Sequence, residues 1–209
     1  VNKVIPKKTL VSQLGANTRM KDHLTNDVVR VEWLAKLAPS TINVADGKEV
    51  HEITVFLVPV KDKNCSDDFF SFVDSLMPRH TLFILRWGEM SCLHLNYKEW
   101  MGNNTKADKA FRIVQTYRSQ WVKDTEISLS IEGLNMDAIY GTLVRQVAGK
   151  RIILQSENLH EDVEKSSQYE ALLKEIEILK RKENKEKQPQ KKFVLHQQRI
   201  ALELKISKK

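Results

Sequence analysis

The side chains able to carry chemistry are few and scattered. His23, His51, His80, His94, His160 and His196 stand far apart in sequence, and Cys65 and Cys92 lack the paired spacing of a zinc site. No HExxH pattern sets two metal ligands on one helix face, and no G-x-S-x-G elbow presents a nucleophile. The 7 glycines form no run whose amides could cradle a phosphate. Asp67 and Asp68 could act as general acid and base only if they faced one another. On a helix adjacent side chains diverge by about 100°, so their expected role is to meet the positive end of a helix. Restriction-type nucleases hold a metal between a carboxylate and an acidic-x-Lys triplet on an adjacent strand. Here the triplet Glu183-Asn184-Lys185 lies in a charged helical stretch, and the apolar run 53–60 carries no carboxylate. The expectation is therefore no catalytic residue, no metal and no cofactor. A nuclease whose site is assembled from dispersed residues is the alternative.

Two features suit binding instead. Arg79, Arg86, Trp87, Arg112 and Arg118 flank predicted strands, and an arginine beside an aromatic ring combines phosphate contact with base stacking. An ordinary sheet edge defended by cations is the competing account. Lys180, Arg181, Lys182, Lys191 and Lys192 concentrate positive charge near the tip of a predicted helical hairpin, where DNA, RNA or an acidic protein could dock. The interleaved Glu183 and Glu186 favour a solvated tip.

These residues need elements to position them. Pro6 opens a helix over 7–14 that Gly15 closes. Asn17 or Thr18 caps a second helix reaching Val28, with Met20 and Leu24 on one face. Residues 29–37 alternate as a strand, with Val29, Val31 and Trp33 on one side. Asp46-Gly47 marks a turn, and the β-branched and aromatic run 51–60 reads as a central strand. Ser66 caps a helix over 67–77. Residues 81–87 and 90–97 form a hairpin around Gly88-Glu89. Gly102-Asn103-Asn104 reads as a loop, residues 111–118 as a strand with a polar or basic face, and 137–147 as an amphipathic helix closed by Gly149. The fold class is α+β, a mixed or antiparallel sheet flanked by helices, with a C-terminal antiparallel helical hairpin. The divisions expected are a body over 1–150, a linker over 151–159 and a hairpin over 160–209. In the hairpin Leu172, Ile176 and Leu179 are expected to face a seam of Phe193, Gln197, Ile200 and Leu204.

A chain of 209 residues can bury a sizeable core. Its basic character, with an isoelectric point near 9.3, sits at the ends: six cations against two carboxylates over 1–30, and thirteen against nine from 160 onward. This balance fits nucleic acid or an acidic protein surface. Two thiols, no long apolar span and no secretory apolar region make a reducing cytoplasm the expected setting.

The opening Asn2-Lys3-Val4-Ile5-Pro6-Lys7, the stretch from Trp33 to Asn43 (WLAKLAPSTIN) and the tail from Lys185 to Phe193 (KEKQPQKKF) resemble a bacterial family designated domain of unknown function 4391. The resemblance covers nearly the whole chain. It implies a companion of helicases and DNA methyltransferases in restriction or anti-phage loci, and it carries over no catalytic residue. The expected role is a non-catalytic accessory or adaptor subunit. Self-assembly through 160–209 is a further alternative.

Overall fold

The computed structural model describes residues 2–13, 15, 17–101, 111–154, 156 and 158–207. The chain divides into two compact units, Val1–Gly149 and Lys150–Lys209. The first is built on a mixed sheet whose strands lie side by side in chain order: β1 (Lys3–Ile5), β2 (Val31–Leu37), β3 (Ile53–Pro59), β4 (His80–Trp87), β5 (Met90–Trp100) and β6 (Phe111–Arg118). Neighbours are antiparallel except β3 and β4. That pair is parallel because helix α4 (Asp67–Leu76) returns the chain to the same end of the sheet. The short β7 (Val122–Lys123) pairs with Met90 and Ser91 of β5.

Strand β3 is buried on both faces, as its run of apolar residues, broken only by Thr54, requires. On one face Phe56, Val58, Phe83, Leu85 and Cys92 of the sheet meet Leu10, Leu24, Phe69, Phe70 and Val73. These last come from α1 (Lys7–Gln13), α2 (Thr18–Asn26) and α4. Phe83 is the centre of this layer, stacked 5.6 Å from Phe56 and tilted against Phe70 at 5.5 Å. Burying each such ring stabilises the fold by about 1.5–3 kcal/mol. After the single turn α3 (Pro39–Ile42), the opposite face is covered by α5 (Met136–Ala148), whose Met136, Ile139, Leu143 and Val144 are fully buried.

The starts of α2 and α4 follow the sequence signals, and α5 has a cap that was not predicted. Asn17 accepts the Met20 amide at 3.0 Å, Ser66 the Asp68 amide at 3.1 Å and Asn135 the Ala138 amide at 2.9 Å. Helix α5 stops at Gly149, whose φ of 54° suits glycine. The Asp46-Gly47 turn is held by Asp137, at the start of α5, which accepts the amides of Lys48 (2.6 Å), Glu49 (3.2 Å) and Val50 (2.8 Å). A Cβ on Gly47 would sit 2.4 Å from the Val50 carbonyl oxygen and 2.5 Å from Asp137 Oδ1, so the turn needs glycine for close approach.

The strands depart from expectation in two places. Strand β1 was not predicted, since three residues are too few for alternation to register. Val29, expected to alternate inward, is exposed, and β2 begins only at Val31. A register shift between Trp33 and Ala35 then interrupts its period of two. The expected loop at Gly102-Asn103-Asn104 lies outside the described residues.

The second unit pairs α6 (Leu159–Lys185) with α7 (Pro189–Ser207). The residues before α6 are tied to its first turns. Asp162 accepts the Ser156 amide at 2.9 Å, Ser166 accepts the Ile153 amide at 3.1 Å, and Arg151 binds Glu170 through two nitrogens at 2.7 and 2.9 Å. Leu172, Ile176 and Leu179 are half-buried, as expected of a seam. The seam of α7 is not the one expected. Phe193, Gln197, Ile200 and Leu204 are exposed, and Leu195, Arg199, Leu202 and Ile206 are half-buried in their place. The phase is set by Glu183 of α6, which binds Arg199 at 2.8 Å and His196 at 2.9 Å. Those two contacts turn the 195/199/202/206 face inward and send the other apolar stripe to solvent.

Candidate functional site

On the side of α4 that faces β5, beside its apolar contacts, the layer turns polar. Asn96 and Lys98, two residues apart on β5, both reach Asp74 of α4. The Lys98 ammonium donates to Asp74 Oδ1 at 2.7 Å, to the Asp74 carbonyl at 3.2 Å and to the Arg79 carbonyl at 2.6 Å. Asn96 Nδ2 donates to Asp74 Oδ2 at 2.9 Å, while Asn96 Oδ1 accepts from Ser71 (3.0 Å) and Thr116 (2.7 Å). Both charged side chains are 0% exposed. Burial draws the Lys98 ammonium below the ordinary lysine range, and Asp74 opposes that shift. The spacing is reminiscent of a nuclease triplet, but Asn96 stands where metal chemistry needs a carboxylate, and the ammonium already has three acceptors. The network fastens α4 to the sheet.

Beside it, His80 packs 4.2 Å from the ring of Tyr140 and 4.9 Å from Phe111. Burial and the Lys98 charge hold its imidazole neutral, with a pKa of about 3. At the other end of α4, Asp67 Oδ1 approaches Arg118 at 2.5 Å and the buried His94 Nδ1 at 3.0 Å. Burial alone would raise the Asp67 carboxyl, but His94 and Arg118 outweigh it and hold it below its usual range. Cys65 and Cys92 are buried nearby, and burial raises both thiols, that of Cys92 to about 12. Neither is activated as a nucleophile. Among the described residues no group of three His, Cys, Asp or Glu side chains is placed to hold a metal ion.

The basic residues singled out on the sheet do not form one patch. Arg86 and Trp87 end β4, where Arg86 pairs with Ser91 in register, and Arg112 lies opposite Glu99. Those two partners are eight residues apart on β5, about 26 Å at 3.3 Å per residue. Arg86 is bound to Asp124 at 3.2 Å and Arg112 to Glu99 at 3.2 Å. Trp87 is partly exposed, its indole donating to the Lys61 carbonyl at 3.2 Å, with the Lys63 ammonium 4.7 Å from its ring. Arg118 turns inward to Asp67 and to the Cys65 carbonyl at 2.9 Å, so the C-terminal end of the expected polar face of β6 meets α4, while Arg112 at its other end stays exposed. Arg79 is exposed before β4. Lys180, Arg181, Lys182, Lys191 and Lys192 are all exposed around the tip of the helix pair, with Arg181 bound to Glu177.

The surface most in need of a partner is on α7. Phe193, Ile200 and Leu204 are 59%, 37% and 54% exposed. With Gln197 they recur at i, i+4, i+7 and i+11, forming one stripe about 200° round the axis from the half-buried seam. The helix is thus apolar on two opposite faces, and α6 occupies one. Lys191, Lys192 and Lys205 are exposed and make the rest of the helix surface basic, while Arg199 is held by Glu183 and Glu203. Sequence periodicity found this stripe but gave it the wrong role. Asp74, Asn96, Lys98 and His80 were missed as a group, although Asp74 falls between Phe70, Val73 and Met77 on the apolar face of a helix, which is a readable signal.

Neither a curated protein nor a solved structure matches the chain. The family model described as Domain of unknown function (DUF4391) matches residues 1–203, almost the full length, taking in both units. The chain belongs to that family.

Proposed function

We propose that the protein is a non-catalytic adaptor whose α7 takes an amphipathic helix of a larger partner along the stripe Phe193, Gln197, Ile200 and Leu204. The second apolar face of α7 carries this reading: water covers side chains that, at this spacing, suit packing against another helix. The exposed Lys205 and the exposed lysines of the tip favour a partner helix with acidic flanks. A phosphate backbone would satisfy the cations but leave the stripe wet, so protein is favoured over nucleic acid. The family resemblance implies a helicase or DNA methyltransferase of a restriction or anti-phage complex as that partner.

The test is affinity capture of the full chain from its native cell, alongside the variant Phe193→Ser/Ile200→Ser/Leu204→Ser. A protein captured by the parent and lost with the variant, at unchanged helicity, is the expected result. Capture that ignores the variant defeats the proposal. So does binding to nucleic acid alone, or a shift from oligomer to monomer in light scattering, which would assign the stripe to a second copy of the chain.

A further inference from the structure

The layer between the sheet and helices α1 and α4 is not filled. A cavity of about 290 Å³ lies there, walled by Leu10, Trp33, Phe56 and Phe69. Its polar end holds Thr54, Arg79 and Glu52. Thr54 is only 4% exposed, and its hydroxyl makes no hydrogen bond to a described residue, which leaves it open to a molecule in the cavity. The Arg79 guanidinium likewise makes neither hydrogen bond nor ion pair among the described residues, its charge reaching Asp46 only at a distance. Glu52 is offset by Lys36, whose ammonium lies 3.4 Å from it.

An apolar chamber with one unused cation and one unused hydroxyl at its mouth matches a ligand that is apolar at one end and anionic at the other. At ~30 Å³ for each water-sized group, the space holds about ten non-hydrogen atoms. We infer that this cavity binds a small amphipathic carboxylate, its chain among the aromatic walls and its carboxylate on Arg79 and the Thr54 hydroxyl. Arginine suits the task because its planar fork meets a carboxylate through two parallel hydrogen bonds.

Octanoate has the right size and charge, and Trp33 in the wall supplies a fluorescent reporter. Titrations of the full chain with octanoate, octanol and octylamine are compared by calorimetry and by tryptophan emission, with Trp33→Phe identifying the reporting residue. Octanoate is expected to bind at least tenfold more tightly than octanol or octylamine. Arg79→Ala, at an exposed position, should leave the circular dichroism unchanged and remove that tenfold preference. Equal affinity for octanoate and octanol overturns the inference. So does octanoate binding indifferent to Arg79→Ala, or no binding of any of the three at millimolar concentration.

Discussion

Replacing Asp74 by asparagine keeps the shape of the side chain and removes one charge from a pair that water does not reach. At 2.7 Å and an effective dielectric constant of about 20, the pair attracts by roughly 6 kcal/mol before desolvation is counted. Two carbonyls, those of Asp74 and Arg79, would still receive the Lys98 ammonium, but no anion would. Breaking a buried pair from one side costs about 3–5 kcal/mol, and that is the expected destabilisation. Lys98→Met should cost a similar amount, because it leaves a buried carboxylate served only by Asn96. The double variant leaves no buried charge, and should be more stable than either single one, with a coupling of at least about 2 kcal/mol. Urea unfolding of the four proteins, followed by far-ultraviolet circular dichroism at pH 7, measures this cycle. The pH dependence has a definite sign. Lys98 is already held below its ordinary range, and losing its counterion lowers it further. The folded variant therefore sheds a proton that the unfolded chain keeps, and the deficit of Asp74→Asn should shrink as pH rises toward 10. Single variants costing under about 1 kcal/mol, or a cycle that is additive, would refute the account of a buried, mutually dependent pair.

Two further outcomes follow from the same layer and from the turn. His80 titrates near 3 in the folded chain against 6.5 as its ordinary value, so its contribution is complete above pH 6.5 and is lost as pH falls toward 3. Between pH 7 and pH 5 it should account for about 2 kcal/mol of lost stability, read as the difference in urea midpoints between the parent and His80→Gln. Asp137→Ala removes the acceptor of three consecutive amides, two of them exposed, and should lower stability by about 1–3 kcal/mol in a thermal melt. An unchanged melt would show that water replaces the carboxylate without loss.

The sequence disclosed most of the frame because its signals are local. A capping Asn or Ser, the glycines at 15, 88 and 149, and the apolar run of β3 each act within a few residues, and the helices and strands they predict are present. What stayed hidden depends on partners distant in sequence. Asp74 and Lys98 are 24 residues apart, and neither reads as more than a surface charge until the crossover lays α4 on the sheet. Arg118 looked like part of a basic face because alternation tells which residues share a side but not which side is covered. On α7 the period was correct and the phase was not: with apolar residues on two faces, hydrophobicity could not choose, and the contacts of Glu183 with His196 and Arg199 did.

The order of the strands bears on how the chain acquires its shape. From β1 to β6 every neighbour in the sheet is also the next strand along the chain, so no strand has to be threaded between two others already in place. The sheet can be extended at one growing margin while the polypeptide leaves the ribosome, each new strand closing a short loop at modest entropic cost. The longest closure in that series is the first, across residues 6–30 between β1 and β2, followed by the single parallel step across residues 60–79, and these two are the natural places for synthesis to outrun assembly.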